Sequence, residues 1–185
     1  ISGDKTRNLK GAGSGYFLTF NRNKRSIAVD VKSKEGKEII LKLLSNSDVF
    51  IENFRPGAME KLGLGYNDLQ PLNPKLVYCS AKGFLEGPYQ DRTALDEVAQ
   101  MMGGLAYMTG PPGQPLRAGS SVIDIMGGMF GAIAILAAIQ ERQVSGRGQK
   151  VISALYENVV YLMGQHMAQT ATTGMPTPPM SVRVS

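Results

Sequence analysis

The chain has 185 residues, 43% of them hydrophobic, with 20 Lys and Arg against 15 Asp and Glu, one Cys, one His and no Trp. That length suits one domain, or one domain plus part of another, and the apolar content can fill a core, which excludes a disordered tail. One cysteine excludes an internal disulfide and a cysteine-based zinc site, and a single histidine argues against a histidine-based one. The net charge of +5 is local: residues 1–25 hold Lys5, Arg7, Lys10, Arg22, Lys24 and Arg25 against Asp4 alone, while the other 160 residues carry 14 basic and 14 acidic groups. A local excess suits a small anion better than a nucleic-acid track, so no nucleic-acid partner is expected.

In chain order, residues 1–25 read as a Gly-rich basic loop. Gly11, Gly13 and Gly15 lack the spacing and the preceding strand of a dinucleotide fingerprint. Ser26–Val31 alternates with β-branched residues and predicts a strand. Ser33 is placed to cap a helix over Lys34–Leu44. Asp48–Glu52 predicts a second strand, Gly57–Leu62 and Tyr66–Leu72 short helices, and Leu76–Ser80 a third strand that ends in the Gly/Pro loop Gly83–Pro88. Leu95–Tyr107 predicts a Met-rich helix, Gly110–Gly119 a loop with three prolines, and Ser121–Gln140 an apolar helix. Lys150–Leu155 predicts a strand and Glu157–Thr170 a helix, and the Pro-rich residues from Ala171 read as a linker. Strand and helix alternating in this way predict an α/β fold, a parallel sheet covered on both faces, with ligands outside the carboxyl ends of the strands at Asn53–Gly57 and Ala81–Pro88.

Val122–Ile139 is 18 residues with a single charge, Asp124, which invites a membrane reading. Its many Gly and Ala residues, and its isolation as the one such segment, favour a buried core helix, so no membrane partner is expected. Ile1-Ser2-Gly3-Asp4 is neither a methionine start nor a signal peptide, and with one free Cys the expected location is the cytoplasm or an organelle matrix.

P-loop, HExxH and GxSxG patterns are absent from the sequence. His166 lies in a helical stretch beside Met163 and Met167 and reads as a structural histidine, and Cys79 as a buried thiol. Asp124 is different. A carboxylate alone in an apolar run is costly unless it is solvated at a helix start or has chemistry to do. It can be a plain cap, or a nucleophile toward an activated acyl group, where attack would give a mixed anhydride. Asn53-Phe54-Arg55-Pro56-Gly57 and Asn21-Arg22-Asn23-Lys24-Arg25-Ser26 can each bind phosphate or serve as a turn and a solvated charged face.

On these stretches the chain resembles the class III CoA-transferases, the family of formyl-CoA transferase, carnitine CoA-transferase and alpha-methylacyl-CoA racemase. The resemblance is carried by Gly3–Arg7, NRNKRSIAVDVKSKEGKEI (Asn21–Ile39), DVFIENFRPGAMEKLGLGY (Asp48–Tyr66), NPKLVYCSAKGF (Asn73–Phe84), the Asp124 segment and ER-x-x-SGRGQKV (Glu141–Val151). It implies a Rossmann-like large domain, here residues 1–170 without the first strand–helix unit, and residues 171–185 leading toward a small domain. It also implies an interlocked homodimer acting on acyl-CoA and a small carboxylic acid, with coenzyme A as part of the substrate and no metal.

By the same resemblance Asp124 is the nucleophile. Attack on the thioester gives an aspartyl anhydride, CoA returns to form an aspartyl-CoA thioester, and the acceptor carboxylate collects CoA. The implied CoA contacts are Val29, Asp30, Val31 and Lys32; Asn53, Phe54 and Arg55; Lys61; and Arg92, Thr93, Ala94 and Leu95. Lys32, Arg55 and Lys61 suit phosphate charges, Lys61 as a point charge in place of an arginine fork. The racemases carry a histidine before an aspartate where this chain has Leu95-Asp96. That difference favours transfer over a racemase-like isomerisation, and a non-catalytic CoA-binding protein is the remaining alternative.

Overall fold

Three segments rich in β-branched and aromatic residues form strands, and these make a parallel sheet in the order β1 (Val49–Glu52), β2 (Val77–Lys82), β3 (Lys150–Ala154) in the computed structural model, which describes residues 3–182. Val49 pairs with Val77 and Tyr78 with Lys150, which sets both registers. The central strand is covered on both faces, so it reads as a continuous apolar run rather than an alternating one. Val77 and Cys79 point to one face and Tyr78 to the other, against Phe50 and Tyr66. Ile1, Ser2 and the last part of the expected linker, residues 183–185, lie outside the described residues.

The chain divides between Asn46 and Ser47 into two compact units. The first holds α1 (Tyr16–Phe20) and α2 (Lys34–Leu44), with 3-10 turns at Lys5–Asn8 and Gly11–Gly15 where a loop is expected. Ser33 caps α2, its Oγ accepting from the Gly36 N–H at 3.0 Å and donating to the Asp30 carbonyl at 2.8 Å. A Cβ at Gly36 would fall 1.9 Å from that carbonyl, so the cap requires glycine. Ser26–Val31 is not a strand. Ser26, Ile27 and Ala28 are exposed, and Asp30 already belongs to the turn that caps α2. Its composition supplies strand propensity, but no neighbour among the described residues takes up its backbone groups in a ladder.

The second unit carries the sheet together with α3 (Ala58–Lys61), α4 (Tyr66–Leu69), α5 (Asp96–Met102), α6 (Leu105–Thr109), α7 (Val122–Ser145) and α8 (Leu155–Thr173). The single helix expected over Leu95–Tyr107 is two, because Gly104 takes φ +89° and breaks the run. Gly103 beside it lies so close to α8 that a Cβ would fall 1.5 Å from Val159 Cγ1. α7 extends beyond the expected Gln140 to Ser145 and ends on Gly146 at φ +72°. α8 passes the expected boundary at residue 170 and closes on Gly174 at φ +68°.

Length and composition alone would let α7 cross a membrane. Its buried stripe, Ile123, Gly127, Gly131, Ile135 and Ala138, lies against the sheet and α8. At Gly131 a Cβ would meet Ser153 Cβ at 3.5 Å and Cys79 Sγ at 3.7 Å, and Ser153 Oγ donates to the Gly127 carbonyl at 2.8 Å. The far end is pinned by Arg142, which donates to the Lys75 carbonyl at 2.7 Å and pairs with Asp48 at 2.9 Å.

The Gly103–Val159 approach gives a direct test of this packing. G103A is expected to destabilise the protein by about 2 kcal/mol through overpacking against α8. Denaturant unfolding measures it, and G103A/V159A should recover part of the loss; a neutral G103A would contradict the close approach.

Candidate active site

α7 begins at the carboxyl-terminal side of the sheet region with Ser121 as its N-cap, and Asp124 is its third helical residue. A serine in that position normally accepts from the second or third N–H of the helix. Ser121 makes no such bond; its hydroxyl instead accepts from Arg117 Nη2 at 2.8 Å. The capping work comes from Asp96, the first residue of α5. One oxygen, Asp96 Oδ2, accepts from the Ile123 N–H at 2.9 Å and from the Asp124 N–H at 3.3 Å. The other, Oδ1, accepts from Gln100 Nε2 at 2.6 Å and from Arg117 Nε at 3.0 Å. Gln100 Oε1 in turn accepts from the Ala118 N–H at 2.8 Å.

Asp96 is only 4% exposed and Gln100 is fully buried, so the network that holds the start of α7 is largely shielded from water. A buried carboxylate is tolerable here because a guanidinium, an amide and two helix-terminal N–H groups satisfy it. The Asp124 carboxylate is itself exposed and makes no hydrogen bond among the described residues. The surrounding chain still removes part of its hydration. That desolvation, followed by the negative charge of Asp96, pushes its pKa above the ordinary aspartate value, while Arg117 pulls the other way. The result is a carboxylate that is accessible, held through its backbone and more basic than usual.

Arg55, Pro56, Asp91, Arg92 and Thr93 line an open cleft of about 610 Å³. Arg55 follows β1 and opens a tight turn. Its carbonyl accepts from the Ala58 N–H at 3.0 Å, with Pro56 and Gly57 between them and Gly57 at φ +74°, a type II β-turn. Arg92 lies over the Tyr89 ring at 4.7 Å, and its N–H donates to the Tyr89 carbonyl at 2.9 Å. Ala94 backs onto the loop after β2: a Cβ at Gly83 would meet the Ala94 nitrogen at 2.7 Å. Leu95 is 67% exposed at the N-cap of α5.

Two of the stretches singled out in the sequence, Asn53–Arg55 and Arg92–Leu95, therefore meet at one cleft, and the second leads directly into Asp96. Lys61 is exposed on α3 and is not among the residues lining that cleft. Val29–Lys32 belongs to the first unit. There Val29 shares a cleft of about 710 Å³ with Arg7, Lys24 and Arg25, and the Lys32 N–H donates to Asp30 Oδ1 at 3.0 Å. Arg7 stacks on Phe17 at 3.9 Å, and Lys24 Nζ donates to the Phe20 carbonyl at 2.7 Å. Cys79 is buried in β2, its thiol pushed up by desolvation, and His166 sits on α8 within 3.4 Å of Gln165 Nε2. Sequence reasoning gave Asp96 no role of its own. The signal was present in the Asp96/Gln100 pair, polar residues at i and i+4 on a helix that buries Ala99.

The profile of CoA-transferase family III matches residues 1–184, and the chain belongs to that family. It is 44% identical over 152 residues to an acyl-CoA transferase of Fusarium pseudograminearum, covering 81% of this chain and 33% of that protein. It is 41% identical over 165 residues to a formyl-CoA:oxalate CoA-transferase of Rhodopseudomonas palustris, covering 86% and 39%. A solved CAIB/BAIF family protein from Brucella suis superposes with a TM-score of 0.86 at 36% identity, covering 93% of this chain and 47% of that one. The chain thus spans less than half the length of these relatives.

The raised Asp124 pKa has a consequence for stability. A carboxyl that holds its proton more tightly in the folded state favours folding at low pH, and that contribution is lost as the pH rises through its folded value. D124N is therefore expected to raise Tm at neutral pH and to give no gain below the ordinary aspartate range; an equal gain at both pH values would contradict the shift. D96A, which strands Arg117, Gln100 and two helix N–H groups, is expected to cost about 3 kcal/mol in denaturant unfolding.

Proposed function

We propose that this member of CoA-transferase family III moves coenzyme A between carboxylic acids, with Asp124 as the nucleophile. The observation that carries the reading is the state of Asp124: its backbone is fixed by Asp96 at the head of α7, and its carboxylate is accessible, free of hydrogen bonds among the described residues and more basic than usual. A carboxylate nucleophile needs those properties, because only the anion attacks and a higher pKa makes it more reactive. The formyl-CoA:oxalate CoA-transferase relative supports the same substrate class.

In this mechanism an Asp124 oxygen attacks the thioester carbonyl of the acyl-CoA. The carbon–sulfur bond breaks, CoA leaves as its thiolate, and a mixed anhydride remains on Asp124. The thiolate attacks the Asp124 acyl carbon and expels the donor as its carboxylate, which leaves an aspartyl-CoA thioester. The acceptor carboxylate attacks that carbon and releases the thiolate again with a new anhydride. The thiolate then attacks the acceptor's acyl carbon. New acyl-CoA departs, and the Asp124 carboxylate is regenerated. No net proton or electron is consumed.

Arg55 and Arg92 at the cleft supply guanidinium groups for the phosphates of CoA, and Thr93 a hydroxyl. Asn53, Phe54, Lys61, Ala94, Leu95 and, in the first unit, Val29–Lys32 are assigned to CoA by the family resemblance, as is an interlocked homodimer. A cytoplasmic or organelle-matrix location suits the single free Cys. With Leu95 where the racemases carry their histidine, proton exchange at a substrate α-carbon would lack a partner.

The test uses the complete protein, assayed with formyl-CoA and other acyl-CoAs against oxalate and other carboxylic acids. D124A is expected to abolish transfer while retaining CoA binding. Hydroxylamine added after acyl-CoA should convert Asp124 to a hydroxamate, which peptide mass spectrometry locates. Undiminished transfer by D124A would overturn the assignment, and CoA binding with neither transfer nor trapping would mark a non-catalytic CoA-binding protein.

A further inference from the structure

β1 ends in Glu52, which pairs with Ser80, and β2 runs two residues further to Lys82 at the carboxyl edge of the sheet. Glu52 is 4% exposed, and the Lys82 side chain 17%. The Lys82 Nζ lies 2.7 Å from Glu52 Oε1 and 2.8 Å from Oε2, and Ser80 Oγ donates to Oε1 at 2.5 Å. An ion pair this far from water is weak evidence of stabilisation, since desolvating two charges offsets much of their attraction. Its geometry shows what else it does. Glu52 Oε2 accepts from the Phe54 N–H at 2.9 Å, and Lys82 Nζ donates to the Phe54 carbonyl at 2.7 Å.

The pair therefore grips a single residue by both of its backbone polar groups. That residue lies outside the strand, between Asn53 and Arg55, and its side chain is 54% exposed, so packing does not fix it. The next residue, Arg55, starts the type II turn closed by Ala58, and its side chain lines the cleft shared with Arg92. With Phe54 held on one side and the turn on the other, the backbone on either side of Arg55 is defined before any ligand arrives. Neither Glu52 nor Lys82 lines the cleft.

We propose that the Glu52–Lys82 pair is a positioning device for substrate: by clamping the Phe54 peptide groups it aims the Asn53–Arg55 arm, and Arg55 above all, at the CoA portion of the acyl-CoA. The proposal rests on reading that arm as a CoA contact. Preorganisation of this kind lowers the ordering cost of binding and acts on ground state and transition state alike, so its loss appears in KM and not in kcat.

The experiment measures KM for the acyl-CoA donor, KM for the acceptor acid, and kcat in the complete protein. The variants are E52Q/K82M, which removes both charges and leaves neither stranded; K82R, which keeps the cation; and R55A as the control on the arm. E52Q/K82M is expected to raise the donor KM about tenfold with kcat and acceptor KM within about twofold of wild type, and K82R to stay within about threefold of wild-type donor KM. E52Q/K82Q, which also leaves no charge stranded, offers a second route if E52Q/K82M does not fold, again with the donor KM raised about tenfold. A wild-type donor KM in E52Q/K82M or E52Q/K82Q, while R55A raises it, overturns the clamp and leaves the arm's role intact. A wild-type donor KM in R55A as well overturns the reading of the arm itself. A fall in kcat equal to the rise in KM assigns the pair to general structure and overturns the proposal.

Discussion

The Asp96 carboxylate is the contact on which the candidate site depends. It accepts four hydrogen bonds, from Gln100, Arg117, Ile123 and Asp124, and so ties together α5, the proline-rich loop and the head of α7. A helix start normally satisfies its own free N–H groups with a neighbouring side chain. Here the cap arrives from a residue 28 positions earlier. The position of Asp124 is thereby fixed relative to α5, and α5 is the direct continuation of the Arg92–Leu95 stretch. A local cap would define the helix end without defining where it points. The distant one does both.

The rest of the second unit serves that placement. Small residues along α7 let it approach β2 and β3 closely, with Ser153 reaching the Gly127 carbonyl and Arg142 gripping the chain at the starts of β1 and β2. Gly103 does the same for α5 against α8. A helix seated along its length and secured at both ends has little freedom to slide. Four of the buried polar residues, Glu52, Ser80, Asp96 and Gln100, belong to the two networks that hold the Phe54 peptide groups and the start of α7. Each is paired, as the low dielectric there requires.

Much of this was legible in the sequence, and for definite reasons. The α/β alternation, the three strands of the sheet, the Ser33 cap and the start of α7 near Asp124 follow from periodicity and cap chemistry, which are local properties. What escaped was long-range. Ser26–Val31 has strand composition, yet pairing depends on a neighbour that composition does not report. The Leu95–Tyr107 run has helical composition; it breaks at Gly104, at φ +89°, next to Gly103, whose close approach to Val159 joins residues 56 positions apart. Ser121 has the chemistry of a cap and yields that work to Asp96. Asp124 stood out because it is a lone charge in an apolar run, whereas Asp96 sits among ordinary helix residues and acquires its significance only from what folds around it. The convergence of Arg55 with Arg92 likewise belongs to the tertiary structure and not to either motif.

Asp96 holds residue 124 by its main-chain N–H and leaves its side chain alone. No hydrogen bond of the helix start is invested in the Asp124 carboxylate, so that group can be esterified, enlarged or emptied of charge without loosening the frame that presents it. The nucleophile proposed above, which would carry a bulky covalent passenger and then shed it, would gain from such an arrangement, because the hydrogen bonds that hold the helix start do not involve its side chain. Position and the proposed reactivity at residue 124 would thus be entrusted to different atoms.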